Sequence, residues 1–196
     1  MTWPNATVLE LDQPDQIGNL SGDGSAARAY DPPMNVRSMR PHELDAAVSV
    51  WREANIARGV SHGPERTARI RTKLSAADAQ PFLALRPGIV GMALAEPGRF
   101  DDGAGEPDPA LLHISMVFVR PAVQRTGVGL PLVLHVLDVA GLLGYKRVDV
   151  WTARENTPAR RLYERAGMTL TGKSAPLLSG VQLQYESLLI GEAASE

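Results

Sequence analysis

Hydrophobic positions along the chain change period several times. Residues 111–119 (Leu-Leu-His-Ile-Ser-Met-Val-Phe-Val) form a mostly apolar run that predicts a strand. Residues 130–143 are apolar at helical spacing, and a helix is predicted over 128–143. Upstream, Leu44, Ala47, Val48 and Trp51 recur at helical spacing behind Pro41, so a helix is expected over 42–57. A second helix, 64–76, is polar and basic, with Arg66, Arg69, Arg71 and Lys73. Residues 82–85 and 89–96 read as a hairpin about Arg86-Pro87-Gly88. Further strands are predicted at 36–39, 146–152, 169–172 and 181–188, and a helix at 157–166. The order is βααβββαβαββ. Its 111–152 segment is a β-α-β unit, expected to be right-handed with parallel strands. The fold class is α/β with a mixed, α+β-like sheet of seven strands and helices on both faces.

Composition divides the chain into three parts. Residues 1–33 carry Glu10, Asp12, Asp15, Asp23 and Asp31 against a single Arg28. Such a segment buries too little apolar surface to offset its ordering entropy, so it is expected to be a flexible extension, with 7–11 able to pair as an edge strand. Residues 34–190 form one domain, and 191–196 a flexible end. A net charge of −2 argues against nucleic acid or an anionic membrane as partner. There is no cysteine, which excludes disulfides, thiolate metal sites and a cysteine nucleophile. No metal site is expected. The 14 residues of 130–143, interrupted by His135 and Asp138, are too few to span a bilayer. A cytoplasmic location is the expectation, with a homodimer left open.

The chemistry centres on Gln124-Arg125-Thr126-Gly127-Val128-Gly129, between a predicted strand and a predicted helix. Glycines let backbone approach a ligand, and the first N–H groups of a helix have no intrahelical partner. That combination suits a diphosphate, with Arg125 as an added charge. A glycine turn serving shape alone would look the same. No Gly-Lys-Ser/Thr follows, so the loop is not a P-loop, and Leu132 stands where a dinucleotide fingerprint needs its third glycine. Asn156 precedes Thr157-Pro158, where it could serve as an N-cap or touch a ligand. Tyr163 lies two helical turns on, sharing a face with Asn156 and Ala159.

Gln-x-x-Gly-x-Gly after a strand, then a second strand, then Asn-x-x-Ala-x-x-x-Tyr-Glu-x-x-Gly, resembles the GNAT N-acetyltransferase superfamily. The residues are Gln124, Gly127 and Gly129, then Asn156, Ala159, Tyr163, Glu164 and Gly167. The resemblance implies acetyl-CoA as co-substrate and a GNAT-like fold. It implies that the strand before the loop splays from its parallel neighbour. Backbone of Val117, Phe118 and Val119 would then bond the pantetheine arm. Gln124, Arg125, Thr126, Gly127, Val128, Gly129 and Leu130 would hold the pyrophosphate. Asn156 would bond the pantetheine side, and Tyr163 would sit near the thioester sulfur. The family often places a glutamate base where this chain has His113.

Direct acetyl transfer then needs a base, a polarised carbonyl and an acid for the thiolate. Tyr163 is the candidate acid and the Val119 N–H the candidate carbonyl donor. His113 is the candidate base, expected by alternation on one face with Ser115, Val117 and Val119. His113 could equally be a hydrogen-bonded strand histidine. His42, His62 and His135 are weaker candidates. Arg154, Arg160, Arg161 and Arg165 form a basic surface from which one could reach the adenosine phosphate. The acidic residues of 101–108 are expected to form a solvated loop. The acceptor side is expected from helices 42–57 and 64–76, the His113 strand and a 173–181 loop. The function read from this is acetyl-CoA-dependent N-acetylation of a primary amine of a small molecule. Protein or peptide N-acetylation, an acyl-CoA-binding module without turnover, and a plain nucleotide binder are the alternatives.

Overall fold

The computed structural model describes residues 34–60, 63–177 and 180–189. The 1–33 extension, the 7–11 strand, His62 and the 191–196 end lie outside the described residues. In chain order the elements are β1 (Asn35–Ser38), α1 (Leu44–Ala57), α2 (Pro64–Leu74), β2 (Gln80–Leu85), β3 (Ile89–Arg99) and β4 (Pro107–Val119). Then come α3 (Gly129–Leu142), β5 (Arg147–Ala153), α4 (Thr157–Arg165), β6 (Thr169–Leu177) and β7 (Gly180–Leu188). The sheet order is β1-β2-β3-β4-β5-β7-β6. Of its neighbouring pairs only β4–β5 is parallel. This is the βααβββαβαββ order and mixed seven-stranded sheet expected from the sequence.

Each face of the sheet has its own core. On one, Leu132, Val133, Val136 and Ala140 of α3 and Ala159 and Tyr163 of α4 cover Phe82, Ala84, Ala93, Ala95, Val148 and Val150. On the other, Ala47, Val48, Trp51 and Ala54 of α1 and Leu74 of α2 cover Leu83, Met92, Leu94, Met116 and Phe118. Gly91 lets α3 lie close: a Cβ there would stand 3.0 Å from Leu132 Cδ1 and from Val128 Cγ1. The approach to α1 is clamped by Arg37, whose guanidinium donates to both Glu43 oxygens at 2.8 and 2.6 Å. Those bonds, with the Arg40 N–H, hold the Glu43 carboxyl down at about 2, below the usual carboxylate range.

Three sequence expectations are corrected. The strand predicted at 111–119 begins at Pro107, and residues 101–103 form a single 3₁₀ turn, so 101–108 is not one solvated loop. The predicted 173–181 loop is largely strand, because β6 continues to Leu177. Finally, His113 does not share a face with Val117 and Val119. Ala95 pairs with Ile114 and Leu94 with Met116, so Ser115 is an extra residue in β4. Such a bulge reverses the facing of everything after it. Leu112, Ile114, Val117 and Val119 all turn toward α3 and α4. His113 turns to the opposite face.

Candidate active site

β4 and β5 pair from Leu111↔Arg147 to Ile114↔Val150 and no further. Past that rung both strands continue, to Val119 and Ala153, without bonding each other. The parting begins at the Ser115 bulge. The Arg120 N–H donates to Val90 O at 2.8 Å. Antiparallel alternation therefore turns Phe118 backbone to β3 and leaves the N–H and C=O of Val117 and Val119 pointing into the gap. The Val119 C=O already accepts from Gln124 Nε2 at 3.2 Å.

On the α3/α4 face the gap leads to a cavity of about 470 Å³. Val119, Gln124, Arg125, Gly127, Val128, Gly129 and Leu130 line it from one side, and Glu155, Thr157, Pro158, Arg161, Leu162 and Arg165 from the other. The loop is braced by its own side chains, since Thr126 Oγ1 donates to Val123 O at 2.8 Å. Arg125 and Gly127 take left-handed φ angles of 64° and 88°. No side chain caps the N-terminus of α3. Its first N–H groups and three arginines thus border one pocket, an arrangement suited to a diphosphate. The basic surface of α4 divides. Arg161 and Arg165 face the cavity. Arg160 instead donates to Tyr185 Oη at 3.1 Å and to Arg154 O at 3.3 Å.

Two hydroxyls on this face are buried with no hydrogen-bond partner among the described residues: Tyr163 Oη and Thr152 Oγ1. The contrast with Tyr185 is direct. Its hydroxyl donates to Glu164 at 2.9 Å. A buried hydroxyl without a partner costs about 1–3 kcal/mol, so these two suit a polar ligand group near the gap. Burial pushes the Tyr163 phenol far up, and it stays protonated through the neutral range. Asn156 caps α4, its Oδ1 accepting from the Ala159 N–H at 3.3 Å. That cap sets the start of the helix carrying Tyr163.

On the opposite face lies a second cavity, about 160 Å³, lined by His113, Ser115, Asp149 and Trp151 at the gap and by Gln182 and Gln184 of β7. His113 Nδ1 lies 2.8 Å from Asp149 Oδ1. Asp149 is only 3% exposed. Burial opposes its charge, but His113, Gln184 and Arg147 outweigh that and hold the carboxyl below its ordinary value. An ionised Asp149 accepts a hydrogen bond from Nδ1–H and leaves Nε2 as the basic nitrogen. The outer wall carries paired charges: Arg147 with Asp108 at 2.6 Å and Glu186 at 3.0 Å, and Lys173 with Asp102 at 2.7 Å. Lys73 of α2 reaches this wall; no α1 residue does.

The structure thus gathers the loop residues, the α4 start and Tyr163 around one face of the gap, and His113 on the other. Thr126, Val117, Phe118, Asn156 and Tyr163 do not line the larger cavity: Thr126 is exposed and the other four are buried. The remaining histidines have other positions: His135 packs edge-on to Phe82 with centroids 5.2 Å apart, and His42 is exposed in the turn before α1. Sequence reasoning missed Asp149, Gln184 and the 97–103 segment, which line the smaller cavity. A carboxylate in the apolar run Val148–Trp151 was the available signal for the first.

The family model for the acetyltransferase (GNAT) family matches residues 46–168. A mycothiol acetyltransferase of Sanguibacter keddieii is 33% identical over 162 residues, covering 78% of this chain and 49% of that protein. The mycothiol acetyltransferase of Beutenbergia cavernae is 29% identical, with 76% and 50% covered. The chain therefore spans about half the length of the curated relatives it matches. Among solved structures, yncA of Salmonella typhimurium, determined with its cofactor acetyl-CoA, superposes with TM-score 0.64 at 19% identity, covering 83% of this chain and 96% of that one. The ribosomal-protein-S18-alanine N-acetyltransferase of Escherichia coli gives 0.63 at 16%, with 84% and 100% covered. At these identities the superpositions establish the fold alone.

Proposed function

The chain belongs to the acetyltransferase (GNAT) family, and on that premise we propose that it transfers an acetyl group from acetyl-CoA directly to the amine of a small molecule. The observation that carries this reading is the gap in the sheet beyond Ile114 and Val150. A loop suited to phosphate lies on one face of it, and the His113–Asp149 pair on the other.

Bound acetyl-CoA supplies an activated thioester carbonyl. The 124–130 loop and Arg125, Arg161 and Arg165 hold its diphosphate. Val117 and Val119 bond the arm as a further strand would, and the Val119 N–H polarises the carbonyl. From the opposite face, His113 Nε2 takes the proton of the incoming ammonium while Asp149 balances the imidazolium. Tyr163 gives its phenolic proton to the departing sulfur. Transfer is direct: the chain has no cysteine, and Ser115 turns its hydroxyl to Leu94 O at 3.4 Å.

The name of the relatives favours a small-molecule acceptor over a protein or peptide amine. The charged, hydrogen-bonding wall around His113 favours a polar one. A coenzyme-binding module without turnover is the rival reading. It gives no role to a part-buried His–Asp pair across the gap from Tyr163. The test is thiol release from acetyl-CoA with a panel of small polar amines. Acetyl-CoA binding with no amine-dependent release would overturn the enzyme reading.

A further inference from the structure

The hydrogen bonds that hold His113 do not end at Asp149. Gln184 of β7 is buried, and its Nε2–H donates to Asp149 Oδ2 at 2.7 Å. Its Oε1 accepts from Thr171 Oγ1 of β6 at 3.0 Å. Thr171 Oγ1 itself accepts from the Lys173 backbone N–H at 3.2 Å. The single Thr171 hydroxyl proton has two acceptors in reach, both on Gln184: Oε1 at 3.0 Å and the backbone carbonyl at 3.3 Å. The ionised Asp149 carboxylate only accepts, so it fixes the amide with Nε2 toward Asp149 and Oε1 toward Thr171. With Asp149 Oδ2 accepting from Gln184, Oδ1 accepts from the Nδ1–H of His113.

The local backbone sets this up. Leu170 pairs with Tyr185 but Ser174 with Leu183, so β6 carries extra residues over β7. Gly172, at φ 84°, sits within that irregularity. There the Lys173 N–H turns back onto Thr171.

The geometry points to Gln184 and Thr171 as positioning residues that hold His113 in its Nδ1–H tautomer, with Nε2 as the base; this rests on the acetyl-transfer reading of the site. Neither touches the reacting atoms. Each acts through the next group in line.

The test uses the full chain with ¹⁵N-labelled histidine, and long-range imidazole spectra assigned with His113→Gln. Wild type is expected to show neutral His113 as the Nδ1–H tautomer. Gln184→Met and Thr171→Val should each mix in the Nε2–H form. They should lower kcat by about tenfold, less than loss of the base itself, and leave the KM for acetyl-CoA unchanged. Thr171→Ser should restore both readouts. Should Gln184→Met not fold, the Thr171 pair decides alone, since Val keeps the shape of Thr without its hydroxyl and Ser keeps the hydroxyl without the methyl. The Nε2–H tautomer in wild type, or an unmoved tautomer in folded Thr171→Val, would overturn the inference. If the tautomer shifts as expected but wild type acetylates no amine, the acetyl-transfer reading fails and the positioning stands. If wild type transfers acetyl and the tautomer does not move, the positioning fails alone.

Discussion

His113 and Asp149 face each other across the parallel strands β4 and β5, with Nδ1 2.8 Å from Oδ1, one rung before the strands part. The pair therefore stands at the edge of the gap rather than deep in the ladder. Its face is opposite the one that carries Tyr163. A donor entering from one side and an acceptor from the other would meet where β4 and β5 no longer bond.

Asp149→Asn keeps the shape of the pair and changes its proton logic. A carboxamide can donate to Nδ1, which drives the proton to Nε2 and removes the base. kcat should fall by about 10²–10⁴-fold, with acetyl-CoA affinity by calorimetry unchanged. A loss confined to affinity would speak against the role given to the pair.

Tyr163→Phe removes a hydroxyl that has no partner among the described residues. The melting temperature without coenzyme should hold or rise, because no bond is lost. Turnover should fall by about 10–100-fold, at or below the usual range for a general acid. Lost stability with intact turnover would make the tyrosine a core residue only.

Gly127 and Gly129 serve different ends. Gly127 sits at φ 88° with open space around its Cα, so a side chain there strains backbone alone. Gly129 lies against α4, and a Cβ would stand 3.1 Å from Leu162 Cδ2, the movable end of a side chain. Gly127→Ala should cost about 1 kcal/mol in urea unfolding and weaken acetyl-CoA binding. Gly129→Ala should cost less. A bulky residue at 129 would press α3 from α4, so alanine is the informative change.

Glu43 supplies a pH signature for the fold. Its carboxyl is held at about 2 by Arg37 and the Arg40 N–H. A depressed acid stabilises fully above its unfolded value and loses that contribution as pH falls through the folded one. Urea midpoints should therefore fall between about pH 4.5, the ordinary glutamate value, and pH 2. Glu43→Gln should flatten that dependence. Equal slopes in both proteins would show that the clamp contributes nothing.

The donor half of the site was legible because it is local. Strand, glycine loop and helix follow one another between 111 and 143, and Asn156 and Tyr163 lie on one short helix. The acceptor half depends on contacts between distant strands. His113 and Asp149 are 36 residues apart, and their meeting follows from the β4–β5 register. The bulge at Ser115 has no turn residue to announce it, so strict alternation put His113 on the wrong face. In β6, Gly172 suggested an end to the strand, whereas it marks an irregularity within one that continues to Leu177.

The most direct test of the account is the pH dependence of kcat for acetyl transfer from acetyl-CoA to an accepted amine, in wild type and in His113→Ala, with coenzyme affinity measured alongside. The account predicts a wild-type rate that falls on the acid side, because a base that already holds a proton cannot take one from the amine. In His113→Ala that limb should vanish and the rate should drop by about 10²-fold or more, with acetyl-CoA still binding. An unchanged profile and rate in His113→Ala would contradict it.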